Sequence, residues 1–181
     1  MAAGDGLVSM TPTSIAHSGT SASINADGGV DFTAVTSLSL NGVFTSDYDN
    51  YLIVYRALMS ANNRTIAFNL RASGADATGS DYTSQLLRAD NTSVTGTRVS
   101  NTFGYFPVLS ATAQNGVQVH VYGPFLAQPT AYRTVGMRGQ NSAYFDDGAG
   151  THSLSTSYDG FTIGPSADNM TGNIHVFGYE E

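Results

Sequence analysis

The sequence of 181 residues has no lysine, no cysteine and no tryptophan, and its two glutamates are the terminal Glu180 and Glu181. The absence of cysteine excludes disulfides, a thiol nucleophile and a cysteine-ligated zinc. Lysine and glutamate are also strong helix formers, so their scarcity argues against helices. What remains is rich in Ser, Thr, Gly, Asn, Asp, Val and Tyr, which favour strands and turns. The composition therefore predicts an all-β protein.

Charge is also scarce, because only 12% of the residues are charged and the net charge is −7. No basic run is present, so a nucleic-acid partner bound through its phosphates is not expected. No stretch approaches the roughly 18 consecutive apolar residues that cross a bilayer, so we expect no membrane partner. Met1 to Met10 lacks the basic and apolar regions of a secretory signal.

Short runs with a period of two support the strand prediction. In Thr65–Ala72, Ile66, Phe68 and Leu70 alternate with polar neighbours and are expected to face a core. Tyr51–Leu58 is apolar on both sides, which is typical of a central strand covered on both faces. The other predicted strands are Thr13–Ala16, Ser21–Asn25, Val30–Val35, Ser37–Val43, Phe103–Leu109, Val117–Tyr122, Tyr132–Arg138, His152–Thr156, Phe161–Ile163 and Ile174–Tyr179.

The strand prediction is less simple for two segments. Tyr82–Arg88 fits either a strand or one helical turn, and Pro107 assigns Phe103–Leu109 to a sheet edge or a bulge. Many short strands at this spacing predict a single antiparallel β-sandwich with jelly-roll-like connections. We divide the chain into a short N-terminal arm, 1–10, and one sandwich domain, 11–181.

No catalytic constellation is visible. The four histidines lack the HxH or HxxxH spacing of a metal motif and are expected to face outward on strands, although His120 and His175 could meet. Asp27-Gly28-Gly29 and Asp146-Asp147-Gly148 are typical of turns in which Asp caps its own backbone. No nucleophile elbow or strand-borne carboxylate pair occurs. We expect no enzyme activity, no catalytic residue, no metal ligand and no cofactor.

Arginines and tyrosines are the remaining candidates for recognition. Arg71, Arg88 and Arg98 are expected to pair with aspartates, given the net negative charge. The sequence contains ten tyrosines, a residue type that is enriched where one end of a side chain is dry and the other wet. The candidate surface-binding aromatics are Tyr105, Tyr122 and Tyr144, and the candidate assembly residues of the arm are Leu7, Val8 and Met10.

Seven segments together resemble a loose family of small jelly-roll-like structural proteins of tailed bacteriophages, notably of marine and cyanobacterial phages. The segments are Gly6-Leu7-Val8, Ser23–Ala26 leading to Phe32, Leu40–Phe44, Tyr48–Val54, Leu70–Gly74, Tyr122–Phe125 and Gly172–Tyr179. The shared residues are those of strands and turns, so the resemblance transfers no functional residue.

The resemblance implies a virion protein displayed on the particle surface, commonly as a homotrimer, with other virion proteins as partners. A long N-terminal shaft, usual in a fibre, is not seen before residue 11, which favours a capsid decoration or head-fibre protein. The alternative is a tail-fibre or tail-tip subunit that binds a host-surface glycan. Assembly in the host cytoplasm and release by lysis would fit the lack of a secretory signal.

Overall fold

The computed structural model describes residues 6–139 and 144–180, and every regular element in these ranges is a β-strand. The strands are β1 (Leu7–Ser9), β2 (Ser14–Ile24), β3 (Val30–Asn41), β4 (Asn50–Met59), β5 (Arg64–Ala72), β6 (Ala75–Asp76), β7 (Tyr82–Asp90), β8 (Ser93–Asn101), β9 (Gly104–Leu109), β10 (Asn115–Tyr122), β11 (Thr130–Arg138), β12 (Tyr144–His152), β13 (Gly160–Pro165) and β14 (Met170–Tyr179). The described residues contain no helix that could span a membrane.

All pairings are antiparallel and belong to one continuous sheet that curls over itself. Its order is β6–β5–β13–β3–β14–β4–β10–β11–β12–β7–β8, while β1 pairs with β14, β2 with β3 and β9 with β5. Because β9 also packs against β11 and β12, the β5 end of the sheet lies over the β11–β12 part. The fold prediction of an all-β, antiparallel, jelly-roll-like β-sandwich is confirmed, with both layers formed by the same sheet.

Strand β3 makes the corner between the two layers. Its second half pairs with β13 and its first half pairs with β14. Between the halves, Ala34 has a φ of 49°, and the partner strand β2 has a bulge at Gly19, whose φ is 122°. A Cβ added at Gly19 would overlap the carbonyl oxygen of Ala34, so only glycine fits there. Bulges of this kind let a strand pass from one layer to the other.

The core between the layers contains the residues that the alternation predicted. Ile66, Phe68 and Leu70 are fully buried on β5. Strand β4 is central, between β14 and β10. Pro107 lies on β9, which pairs with β5 at an edge and has a register shift at this point, as predicted.

Two local predictions are wrong. Asp146 does not lie in a turn, because it is buried on β12, where its carboxylate accepts a hydrogen bond from Arg88 Nε at 2.6 Å. The Asp146 carboxylate is therefore satisfied by an arginine on the neighbouring strand, and not by the backbone amides of a turn. The predicted strand His152–Thr156 is also misplaced, since β12 ends at His152 and no strand follows until Gly160.

The arm is partly built into the sheet. Leu7–Ser9 pairs with the end of β14, and the Met10 amide donates to the carbonyl of Val176 at 2.8 Å. Residues 1–5 lie outside the described part of the chain. The role of the arm in attachment stays a prediction.

Candidate binding face

The solvent-facing side of seven adjacent strands forms one broad surface, which we call the outer face. Strands β14, β4, β10, β11, β12, β7 and β8 lie side by side with aligned registers, so outward side chains form rows across the sheet. Three such rows are Phe177–Leu52–His120–Arg133–Ala149–Gln85–Arg98, His175–Val54–Gln118–Val135–Asp147–Leu87–Gly96 and Asn173–Arg56–Gly116–Met137–Phe145–Ala89–Val94.

A groove with apolar walls occupies the β14–β12 part of the outer face and has a volume of about 890 Å³. Met137 is 62% exposed and Phe145 is 47% exposed within it. We call this feature the apolar groove and define it by its apolar side chains: Leu7, Leu52, Val54, Val135, Met137, Phe145 and Phe177. Exposed apolar surfaces of this kind are typical of sites that contact another molecule.

Two features of the sequence create the groove. Leu52 and Val54 give β4 a second apolar side, which the alternation predicted to be covered, but this side is only half-buried and faces solvent. Gly116 leaves a gap between Arg56 and Met137, its neighbours in the row. A Cβ added at Gly116 would meet no atom within 4 Å. The groove is therefore open at Gly116.

A second depression of about 530 Å³ lies toward the β8 edge of the same face. Its floor is made of small residues, Ala131, Ala149 and Gly150, and longer side chains stand around them. We call it the polar basin and define it by the surrounding residues Thr83, Gln85, Arg98, Tyr122, Arg133 and Thr151. Tyr122 is 42% exposed, so an edge or face of its ring is open to solvent.

The only ion pair that the described residues show on the outer face joins Arg133 to Asp147. Arg133 donates from Nη2 to Oδ2 at 2.9 Å and from Nε to Oδ1 at 3.3 Å. These hydrogen bonds from the guanidinium to the carboxylate raise the pKa of Arg133. The pair is exposed, so it fixes the orientation of the guanidinium more than it stabilises the fold.

His120 lies between the two depressions, and His175 lines the apolar groove. His120 stacks near Tyr122 and Tyr179, and its Nδ1 lies 2.8 Å from the Tyr179 hydroxyl. His175 faces outward on β14, but Leu52 and Val54 of β4 lie between these two histidines in the rows. The described residues contain no group of three potential metal-ligating side chains.

The expectation of outward-facing histidines is wrong for His152. This residue is fully buried, with its ring centroid 4.3 Å from that of Tyr82. Burial disfavours the charged imidazolium and lowers the pKa of His152.

The three tyrosines proposed from the sequence lie in different places. Tyr122 borders the polar basin. Tyr105 is half-buried on β9 beside Phe103, with ring centroids 5.1 Å apart. Tyr144 is half-buried at the start of β12, where the Arg138 guanidinium carbon lies 3.7 Å from its ring centroid. The structure therefore does not group these tyrosines into one surface.

Of the three proposed assembly residues, only Leu7 contributes to the apolar groove, and it is 46% exposed. Val8 is half-buried on β1. Met10 is partly buried and packs against the hydrophobic core. Leu7 is thus the arm residue that a second molecule can reach on this face.

Most residues of the two depressions were not identified from the sequence. Arg98 lies on β8, which was not predicted as a strand because most of its residues are Ser, Thr, Gly and Asn. Arg71 and Arg88 do pair with Asp76 and Asp146, as expected. Arg98, in contrast, has no acidic partner among the described residues, and an unpaired arginine in an acidic chain is a signal that only the structure reveals.

Comparisons with known proteins identify no family, since no family model matches this chain and no curated protein matches it. Among solved structures, it is similar to the CBM2 module of the evolved Dit of Lactobacillus casei BL23 phage J-1, with 15% identity over 94% of this chain and 92% of that one and a TM-score of 0.41. It is also similar to the C-terminal CBM6 of LamC from Zobellia galactanivorans, with 14% identity, coverages of 95% and 98% and a TM-score of 0.35.

A third similar structure is the carbohydrate-binding module CBM6cm-2 of Cellvibrio mixtus lichenase 5A in complex with cellotriose. It shares 14% identity with this chain over 98% of both chains, with a TM-score of 0.30. All three are carbohydrate-binding modules, and one comes from a phage protein. At these identities and TM-scores the likeness transfers neither a ligand nor a function to this chain.

Proposed function

We propose that this chain is a non-enzymatic structural protein of a phage particle, displayed on the particle surface as a homotrimer, with capsid decoration as its role. The apolar groove supports the part of the proposal that concerns self-association. It provides the contact through which copies of the chain associate, and Leu7 extends that contact to the arm. The phage part rests on the resemblance of the seven sequence segments described above.

The observation that supports self-association is the second apolar side of β4. A strand with apolar residues on both sides is normally covered on both faces, and here Leu52 and Val54 are left half-buried. Charged residues make up only 12% of the chain, so little charge is available to keep such a surface soluble. Closed symmetric association covers it without open-ended growth.

Gly116→Glu tests this proposal with little risk to the fold. The glycine lies inside the groove, its φ is not positive, and an added Cβ meets no atom within 4 Å. A carboxylate in an apolar contact loses its hydration, and the neighbouring Arg56 offsets only part of that cost, so we expect the Kd of the oligomer to rise about tenfold. The free energy of unfolding of the monomer should change by less than about 0.5 kcal/mol. Sedimentation equilibrium and urea unfolding measure the two effects.

Gly96→Glu is the matched control. Gly96 is exposed on β8 and lies outside the groove, and an added Cβ there makes only ordinary contacts at 3.8 Å. This variant should remain a trimer. A wild-type chain that is monomeric at micromolar concentration, or a Gly116→Glu variant that associates as well as wild type, would show that the groove is not a self-association surface.

A second candidate function is glycan binding, as in a tail-fibre or tail-tip subunit. The polar basin supports it, because an open depression with an exposed ring, hydroxyls, an amide and guanidinium groups is the kind of site that sugars occupy. The basin and the groove occupy different parts of the outer face, so one chain can use both. Binding of the wild-type chain to an oligosaccharide panel tests this candidate.

A further inference from the structure

The outer face carries a net positive charge, in contrast to the whole chain. Its three rows contain Arg56, Arg98 and Arg133 and one acidic residue, Asp147, and the row of Arg56 continues to Asp31 on the adjoining strand β3. The complete chain has 14 acidic residues and 7 arginines, with a net charge of −7. An anionic ligand is therefore attracted to this face more than to the rest of the surface.

Two of these arginines border the polar basin from opposite sides. Arg98 and Arg133 belong to the same row, with Gln85 and Ala149 between them. Three strand spacings separate them, which corresponds to about 14 Å between their backbones. Such a span matches a ligand of several linked units better than a single small anion.

Both guanidinium groups have N–H donors that make no hydrogen bond within the described residues. Arg98 is exposed and has no ion pair or hydrogen bond among the described residues. Arg133 donates to Asp147 from Nε and Nη2, and its Nη1 makes no bond that the described residues show. By contrast, Arg64, Arg71 and Arg88 each pair with an aspartate. Since acidic residues outnumber arginines twofold, Arg98 is not unpaired for lack of partners.

The other groups of the basin are neutral hydrogen-bonding groups. Thr83 and Thr151 face each other across β7 and β12 and supply hydroxyls, and Gln85 supplies an amide. The exposed ring of Tyr122 offers a flat apolar surface at the end of the basin. Hydroxyls and an amide form hydrogen bonds with the hydroxyl groups of a sugar, and an aromatic ring packs against the apolar face of the sugar ring.

We propose that the polar basin binds an acidic saccharide, a sugar chain that carries carboxylates. Arg98 and the free edge of Arg133 receive the carboxylates, because a guanidinium binds a carboxylate through two parallel hydrogen bonds. Thr83, Thr151 and Gln85 bind sugar hydroxyls, and Tyr122 packs against one ring. This inference rests on the second candidate function, glycan binding, and specifies its ligand class.

The test is calorimetric titration of the full chain with an oligogalacturonate at low salt, in parallel with the same oligomer after reduction of its carboxyl groups. We expect the reduced, neutral oligomer to bind about tenfold more weakly. Arg98→Gln and Arg133→Gln should each weaken binding of the oligogalacturonate about tenfold. Arg64→Gln, which removes the same charge from the opposite layer, should leave the affinity unchanged.

Other results would contradict parts of this proposal. Equal binding of the acidic and reduced oligomers, or unchanged affinity in Arg98→Gln, would overturn the acidic specificity while leaving glycan binding in place. Tighter binding of a pentaglutamate peptide than of the oligogalacturonate would overturn it in favour of an acidic peptide. If neither oligosaccharide binds, nor any member of the oligosaccharide panel, the glycan-binding function itself is wrong.

Discussion

Replacing Phe68 with alanine is expected to lower the free energy of unfolding by about 3–5 kcal/mol. The ring is fully buried and stacks on Phe106 with centroids 4.6 Å apart. It also contacts Phe161 at 5.8 Å and, across the core, Tyr132 at 5.6 Å. Tyr132 belongs to the layer that carries the outer face, so removal of Phe68 leaves a cavity between the layers. Urea unfolding of the purified variant measures the loss.

Leu154→Ala is the control, because Leu154 is 45% exposed in the segment between β12 and β13. It should cost less than about 1 kcal/mol. If Phe68→Ala and Leu154→Ala lose similar stability, the aromatic cluster does not hold the two layers together and the described packing is wrong.

Replacing Arg71 with leucine is expected to cost about 2–3 kcal/mol, the second largest effect. Its guanidinium is almost buried and donates to Asn41 Oδ1 at 3.0 Å and to Thr162 Oγ1 at 2.9 Å. It also donates to the Asp76 carboxylate and to the carbonyl of Gly74. Leucine leaves these acceptors without their donor, and the partial exposure of Asp76 reduces the cost because water can reach it.

Arg64→Leu provides the matched comparison. Arg64 donates to Asp168 at 2.7 Å, but both side chains are partly exposed, so water screens the pair. We expect a loss of at most about 1 kcal/mol from this substitution. Equal losses for the two arginines in thermal or urea unfolding would contradict the proposed role of Arg71 as the link between β3, β5, β6 and β13.

Alternation of apolar and polar residues was sufficient to predict the strands that form the core. It identified Ile66, Phe68 and Leu70 as inward-facing because burial on one side imposes a period of two. Pro107 and Asp27 were also interpreted correctly, since a missing amide proton and a turn carboxylate act locally: Asp27 Oδ1 accepts from the Gly29 amide at 3.1 Å. Local chemistry of this kind does not depend on distant partners.

The strands that carry the polar basin were harder to predict. Asp146-Asp147-Gly148 has the composition of a turn, and it forms a strand because Arg88 and Arg133 on the two neighbouring strands pair with its carboxylates. Those partners lie 58 and 14 residues away in sequence. Strand β8 has few apolar residues because it is an exposed edge strand, so alternation gives no signal there.

The candidate site as a whole depends on strand order, which the sequence pattern does not specify. Arg98 and Arg133 come together only because β12 and β7 lie between β11 and β8. For the same reason, the sequence could suggest Tyr122 as a recognition residue but could not separate it from Tyr105 and Tyr144. The apolar groove was indicated in the sequence only by the second apolar side of β4, and the described residues leave that side open to solvent.

The measurement that tests the central claim most directly is hydroxyl-radical footprinting of the purified chain at micromolar concentration, read at Met137 and Phe145. Both side chains are well exposed in the single chain, so they would react readily unless a second copy covers them. We predict strong protection of both residues in wild type, loss of that protection in Gly116→Glu, and full reactivity of Leu154 in both proteins. Wild-type Met137 and Phe145 reacting as fast as they do in Gly116→Glu would contradict the claim that the apolar groove is where copies of this protein associate.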